Sequence, residues 1–282
     1  MTTLQHKIDF AVVFRVKNAN PNGDPLNGNR PRTDYDTKGE VSDVCNKRKI
    51  RDRLQEKGHS IFVQSDDRKV DDAKSLRERA EAALGSKLGS SETAKLACKK
   101  WLDVRAFGQL FAFKPDKKDK KKDQSDDGDT GVSIGIRGPV SVQSAFSVEP
   151  VNITSTQITK SVSGEREGNK RSSDTMGMKH RVDHGIYVFF GSMNPQLAEK
   201  TGFSDADVGA IKEVLPRLFE NDASSARPEG SMEVLKVIWW KHNSKAGQYS
   251  SAKVHRTLTV NLDGSIELGR LDKLTPEIID GF

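Results

Sequence analysis

Ile8-Asp-Phe-Ala-Val-Val-Phe-Arg-Val16 is the stretch whose pattern decides the fold class. Ile8, Phe10, Val12, Phe14 and Val16 recur at every second position, with Asp9, Ala11, Val13 and Arg15 between them. That period belongs to a β-strand with one fully apolar face. The tract after it, 18–32, holds Pro21, Pro25 and Pro31 together with Asn22-Gly23 and Asn27-Gly28, which stop a ladder and prevent a helix. A helix follows, with Ser42 as its N-cap and Gly58 just past its end. Only Ile50 and Leu54 share a narrow apolar stripe on it, and Lys47, Arg48, Lys49, Arg51 and Arg53 occupy the rest of its circumference. Ile61-Phe-Val63 reads as a short strand.

Further along, residues 66–100 read as an insertion with two polar helices, Val70–Leu84 and Ser91–Trp101. Asp103–Phe113 reads as a strand, with Arg105, Phe107, Gln109, Phe111 and Phe113 on one side. Residues 115–131 predict a disordered loop, because five Lys and six Asp crowd Asp116–Asp129 without a large apolar residue. Val132–Val151 is extended with a break at Gly135–Pro139, and residues 152–183 predict a protruding hairpin or arm. Gly185–Phe190 returns to a strand. A helix then starts at Ser204, with Asp207 completing a capping box, Phe203 placed to staple on Val208, and Pro216 placed to end the helix or kink it. Glu233–Lys241 is apolar on both faces, as a central strand is, and Lys253–Val260 is another strand. There is no tandem repeat. The order fits an α+β sheet with helices on one face, a single domain spanning 1–282 and enlarged by insertions.

Composition narrows the function. The 282 residues are 34% hydrophobic and 30% charged, so the core is small relative to the surface. The net charge of +6 favours a polyanionic partner. No apolar run approaches the ~20 residues of a membrane span. The first residues lack the apolar core of a secretory leader. Two cysteines, Cys45 and Cys98, make neither a disulfide framework nor a zinc cage, which points to a reduced, cytoplasmic protein.

Catalytic motifs are scarce. Gly23 and Gly28 lack the lysine of a phosphate-binding loop, and no nucleophile elbow or zinc-protease motif occurs. His180 and His184 offer a metal pair only on a helix, and otherwise read as solvated imidazoles beside Arg181. Asp24, Asp34 and Asp36 read either as a Mg²⁺ or acid–base cluster or as turn-forming aspartates. The nucleic-acid signals are denser. Five basic residues lie between Lys47 and Arg53, and Ser42 opens a helix N-terminus that attracts phosphate. Gly135-Ile-Arg-Gly138 allows close backbone approach to a phosphate, or equally marks a bulge. Arg105–Phe113 partly matches an RNA-recognition strand. Met176, Met178, Lys179, His180 and Arg181 place apolar wedges beside cations on the arm. Trp239 and Trp240 face opposite sides of their strand and read as core.

Several blocks together carry a family resemblance. They are Asn20–Arg32, Val41–Arg51, Asp103–Gly108, Ile136–Gln143, Met178–Val182 and Ser224–Met232. In this order they resemble the repeated guide-RNA-binding backbone subunit of the type I-C CRISPR effector complex, Cascade, of the RAMP superfamily. The resemblance implies a modified RRM-like (ferredoxin-like) palm with a finger insertion and a protruding thumb β-hairpin. It implies a non-catalytic subunit whose copies form a helical filament along a guide CRISPR RNA. That subunit holds the RNA backbone independently of sequence and presents its bases to target DNA in antiviral defence. Further partners would be the guide-processing end-cap subunit, the large subunit and the small subunit, with no membrane and no cofactor. It places Asn20, Asn22, Arg32, Ser42, Lys47, Arg48, Lys49, Arg51, Arg137, Gln143, Thr175, Met176, Lys179 and Arg181 at the RNA. Asn46 stands where the resemblance implies an apolar residue. The alternative is a metal-dependent endoribonuclease that cuts target RNA through an aspartate of the first loop, Asp34.

Overall fold

The computed structural model describes residues 2–113, 132–159 and 176–282. In chain order the strand β1 (Ile8–Ala19) leads into the short pair β2 (Gly23–Asp24) and β3 (Arg30–Pro31), then β4 (Lys38–Val41) and helix α1 (Asp43–Glu56). The insertion contains α2 (Leu76–Leu84), α3 (Thr93–Lys100), α4 (Leu102–Phe107), β5 (Gly108–Phe113) and β6 (Val132–Arg137). Strands β7 (Val140–Val142), β8 (Ala145–Pro150), β9 (Ile153–Thr159) and the long β10 (Met176–Met193) follow. The last part holds α5 (Pro195–Thr201), α6 (Asp205–Val214), β11 (Met232–Lys241), α7 (Ser251–His255), β12 (Leu258–Val260), β13 (Ile266–Leu268) and β14 (Glu277–Asp280).

The main sheet runs β14-β11-β1-β10-β8-β4, with β7 and β9 also paired to β10. All its pairings are antiparallel. β1 is interior because both of its faces are apolar. Phe10, Val12, Phe14 and Val16 face the cluster that takes in Ile50 and Leu54 of α1 and Val208, Ile211 and Val214 of α6. Ala11 and Val13 face a second cluster with Ile238, Trp240, Val254, Leu258 and Leu274. The sheet is therefore covered on both faces, and the second carries Val254 of α7, whereas the pattern predicts helices on one face. The C-terminal segment covers the second face. It differs from the expected single strand because Ser250 caps a helical turn, accepting from the Lys253 amide, before β12 begins. The two tryptophans of β11 pack as expected, Trp239 against Phe10 with ring centroids 5.7 Å apart and Trp240 in the opposite cluster.

Local signals place the helices well. Ser204 and Asp207 form the capping box of α6, and Pro216 falls in the 3-10 turn that follows its end. The helices of the insertion are shorter than predicted, starting at Leu76 after Ser75 and at Thr93. They bury a third cluster in which Phe62 meets Trp101 at 4.6 Å and Phe111 at 5.2 Å. Two expected strands are different. Ile61–Val63 makes no ladder, because the buried Asp103 carboxylate accepts the amides of Phe62 at 2.7 Å and Val63 at 3.1 Å. Asp103–Phe113 is helical up to Phe107, and only Gly108–Phe113 is a strand, paired to β6 in a separate sheet. It is therefore not an RNA-recognition strand of the palm. The predicted loop at 115–131 lies outside the described residues, as does the tip of the predicted arm.

Candidate nucleic-acid interface

The turn tract after β1 folds back on the start of α1. Asn22 Oδ1 accepts from the Ser42 amide at 3.0 Å and from its hydroxyl at 2.9 Å. Ser42 Oγ accepts from the Cys45 amide at 3.3 Å, the N-cap bond. The Arg32 amide donates to Asn22 O at 3.1 Å. Asn20 is buried, with Nδ2 donating to Asn29 O at 2.7 Å. From the far side, Ser144 Oγ accepts the Asp43 amide at 3.3 Å and Gln143 O accepts from Asn46 Nδ2 at 3.2 Å. Asn20, Asn22, Arg32, Ser42 and Gln143 thus converge on one polar patch. The helix N-terminus at its centre already has partners for two of its amides and an acidic residue, Asp43, in its first turn.

The arm adjoins this patch. Seven residue pairs join β9 to the first part of β10. Arg30 donates to Ser155 Oγ at 2.8 Å, and Ser155 Oγ bonds His180 Nδ1 at 2.8 Å. Alternation along the strand gives the arm two faces, Met176 and Met178 with His180 on one, Lys179 and Arg181 on the other. Both methionines are exposed. Arg181 lies 3.4 Å from Asp183. Thr175 lies outside the described residues.

The basic helix is the largest correction. Its inward face is Asn46, Lys49, Ile50, Arg53 and Leu54, so Asn46 occupies a core position. Lys49 is 1% exposed, pairs with the Asp222 carboxylate and lies 5.5 Å from the Phe219 ring centre. Arg48 reaches Asp52 at 2.7 Å and Asp222 at 3.5 Å, and Arg227 reaches Asp222 at 3.0 Å. Burial pushes the Lys49 ammonium below the usual lysine range, against the pull of Asp222. Burial also raises the Asp222 carboxyl, but Lys49, Arg227 and Arg48 outweigh it and hold it below the usual carboxylate range. Arg51 bonds Asp103 at 3.0 Å and stacks over Phe107 at 5.0 Å. Lys47 pairs with Asp43 at 2.8 Å on the surface. Lys49 and Arg51 thus have their charge engaged within the fold, by Asp222 and Asp103. Lys47 and Arg48 are the most exposed of the predicted four, with side chains 25% and 35% exposed against 12% for Arg51. Their partners stand up to 174 residues away, beyond the reach of any local pattern.

Other site expectations also shift. Arg105 is clamped by Asp207 at 2.6 and 3.0 Å. Gly138 is required for packing: an added Cβ would lie 2.2 Å from Ala106 O and 2.5 Å from Gly108 N. Arg137 lines a cavity between α3, β6 and α5, and none of the patch residues lines that cavity. Asp24 accepts the Leu26 amide at 3.2 Å, and Asp34 accepts the amides of Asp36 at 3.0 Å and Lys38 at 2.9 Å, which is turn chemistry. His180 and His184 sit on a strand, and among the described residues no cluster of three or more His, Cys, Asp or Glu is arranged to hold a metal. Arg30, Ser155 and Ser144 join the patch without any signal in the sequence.

The fold defines a class, an α+β protein built on one antiparallel sheet whose central strand extends into a two-stranded arm. A sequence model of the CRISPR-associated protein Cas7 family matches residues 6–273, so the chain belongs to that family. A CRISPR-associated protein Cas7 of Haloferax volcanii is 28% identical over 99% of this chain and 82% of its own length. Among solved structures, a chain of a "CRISPR RNA-guided surveillance complex, pre-nicking" superposes with a TM-score of 0.48 at 18% identity, covering 83% of this chain and 75% of that one. A chain of a "CRISPR RNA-guided surveillance complex" gives a TM-score of 0.42 at 18% identity, covering 83% and 68%. Among the described residues no helix is long and apolar enough to cross a membrane.

Proposed function

We propose that this chain is the non-catalytic backbone subunit of a type I-C CRISPR effector complex. Copies assemble along a guide RNA, hold its backbone without regard to sequence, and leave its bases free to pair with target DNA, so that pairing supplies the specificity. The palm is a modified RRM-like sheet, a reading supported by the order β1, α1, β7, β10, α6, β11 and the neighbours β11-β1-β10-β7. The observation that carries the proposal is the continuity of patch and arm. Arg30 ties the polar loop at the start of α1 to a hairpin with one methionine face and one cationic face. A polynucleotide lying on the patch meets hydrogen-bonding groups and Lys47, while the arm offers apolar wedges to the bases. Its partners are the guide RNA, target DNA, further copies of itself and the end-cap, large and small subunits of the complex, in the cytoplasm.

The test is purification of the chain with its operon partners and sequencing of the retained RNA. The proposal expects small RNA with a constant repeat-derived end and variable interior, and absence of RNA refutes it. The endoribonuclease alternative gains no support from Asp34, whose carboxylate shapes its own turn. Complementary RNA with Mg²⁺ should stay intact in the assembled complex. Cleavage at regular intervals that Asp34→Ala abolishes would reverse this reading.

A further inference from the structure

Two features of this chain complement each other and cannot meet within one copy. The first is the turn before β4. Asp34 Oδ1 accepts the amides of Asp36 and Lys38, the Asp34 amide donates to Lys38 O at 2.9 Å, and Thr37 O accepts the Val151 amide at 3.1 Å. The turn so fixed displays Tyr35 fully exposed, beside an exposed Asp36 that has no cationic partner among the described residues. A tyrosine on a fixed backbone loses little entropy when it is covered, so such rings anchor interfaces. The second feature is a cavity of about 1170 Å³ between α3, β6 and α5. Lys95, Lys99, Arg137 and Lys200 line it, all exposed and without an acidic partner among the described residues. Its one carboxylate, Asp207, is taken by Arg105. Thr201 also lines it, is 7% exposed, and its Oγ1 has no hydrogen-bond partner among the described residues. A buried hydroxyl left so is costly unless something supplies the bond.

These features stand at opposite ends of β10. The turn holds Val151, and the next carbonyl, Asn152 O, accepts the Asp183 amide. The cavity's helix α5 starts at Pro195, just past Met193 at the far end of the strand. About ten residues of strand, roughly 30 Å, lie between. We propose that the Asp34–Thr37 turn of one copy seats in the cationic cavity of the next. The inference rests on the reading that copies of this chain assemble, and supplies the joint. Tyr35 lays its ring on the apolar surface of Ile136 and Leu197, and its hydroxyl meets Thr201 Oγ1. Asp34 and Asp36 face the lysines and Arg137. Those two aspartates would repel phosphates, so a polynucleotide is the wrong cover for Tyr35. The joint brings together two different surfaces, so its repetition builds an open filament and not a closed pair.

The test uses two full-length variants, Asp36→Lys in the turn and Lys95→Glu with Lys99→Glu in the cavity. All three residues are exposed, so melting temperatures stay as in the parent. Each variant alone brings like charges together at every joint, and its assembly on a long RNA weakens about tenfold. In an equimolar mixture the turn of each variant meets the cavity of the other with opposite charge. The number of copies per RNA, read by light scattering, therefore returns to that of the parent. Tyr35→Ala weakens assembly by a similar factor, and no mixture restores it. A turn variant that assembles as well as the parent overturns the proposal. So does a mixture that stays weak, since the cavity lysines would then serve nucleic acid and not a second copy. If the parent does not gather on RNA, the same chains are compared by sedimentation without it. Association lost in each variant and restored in the mixture upholds the joint while the guide reading fails, and a parent that stays monomeric in both experiments refutes both.

Discussion

Asp222 gathers Lys49, Arg48 and Arg227 around one buried carboxylate. Removing a partner from such a group leaves uncompensated charge in the interior, so Asp222→Ala should cost about 3–5 kcal/mol in urea unfolding. Lys49→Ala should likewise lower stability, while the protein that remains folded keeps the salt dependence of its RNA binding. Lys47→Ala should do the reverse. It should change stability by no more than about 0.5 kcal/mol and reduce the slope of log affinity against log salt by about 0.7. A slope lowered by Lys49→Ala but not by Lys47→Ala would contradict the assignment of inner and outer cations. Asp9 is the other buried carboxylate of note, 2.9 Å from His242 Nε2 and 3.2 Å from Lys7 Nζ. Burial alone would raise it, but the hydrogen bond from His242, the nearness of His255 at 3.5 Å and the charge of Lys7 hold it well below the usual range. The native state therefore binds fewer protons there than the unfolded chain does. Its stabilisation is whole above about pH 4 and is lost as pH falls through the depressed native value. Asp9→Asn should thus lower stability near neutrality and flatten the acid limb of the stability curve. An acid limb as steep as the parent's would show that the carboxylate plays no such part.

At the scale of elements, periodicity and capping were legible wherever one segment carries its own signal. The alternation of β1, the Ser42 and Ser204 caps, the stop at Pro216 and the two-faced β11 all appear where the sequence places them. What could not be read is pairing between distant charges. Ile61–Val63 and Asp103–Phe107 look extended until Asp103 is seen to bind two amides and Arg51 at once. Gly135-Ile-Arg-Gly138 illustrates the same limit, for its two glycines look equivalent in sequence. Gly138 sits against the backbone at 106–108, so Gly138→Ala should destabilise by about 1–3 kcal/mol through overpacking. Gly135→Ala, with open space around it, should be nearly neutral. Equal effects in thermal unfolding would contradict this account of the α4–β6 crossing. The arm gives a further contrast. Met176 and Met178 are exposed, so replacing both with Asp should leave the melting temperature unchanged and weaken RNA-dependent association.

For the whole molecule, the low apolar content matches a thin core spread over three clusters, with much polar surface left on the patch, the arm and the cavity. The net charge of +6 does not show where free charge lies, because all five cations of α1 are paired with carboxylates of the fold. The cations that remain unpaired are therefore more informative than the total. The central claim is that copies of this chain line up on RNA without reading its sequence. The most direct measurement is light scattering of the chain with synthetic RNAs of increasing length and scrambled sequence. The account predicts that bound copies increase in proportion to RNA length, identically for every sequence, and that ribonuclease returns the protein to its free size. A single copy per RNA at every length, or binding that follows sequence and not length, would contradict it.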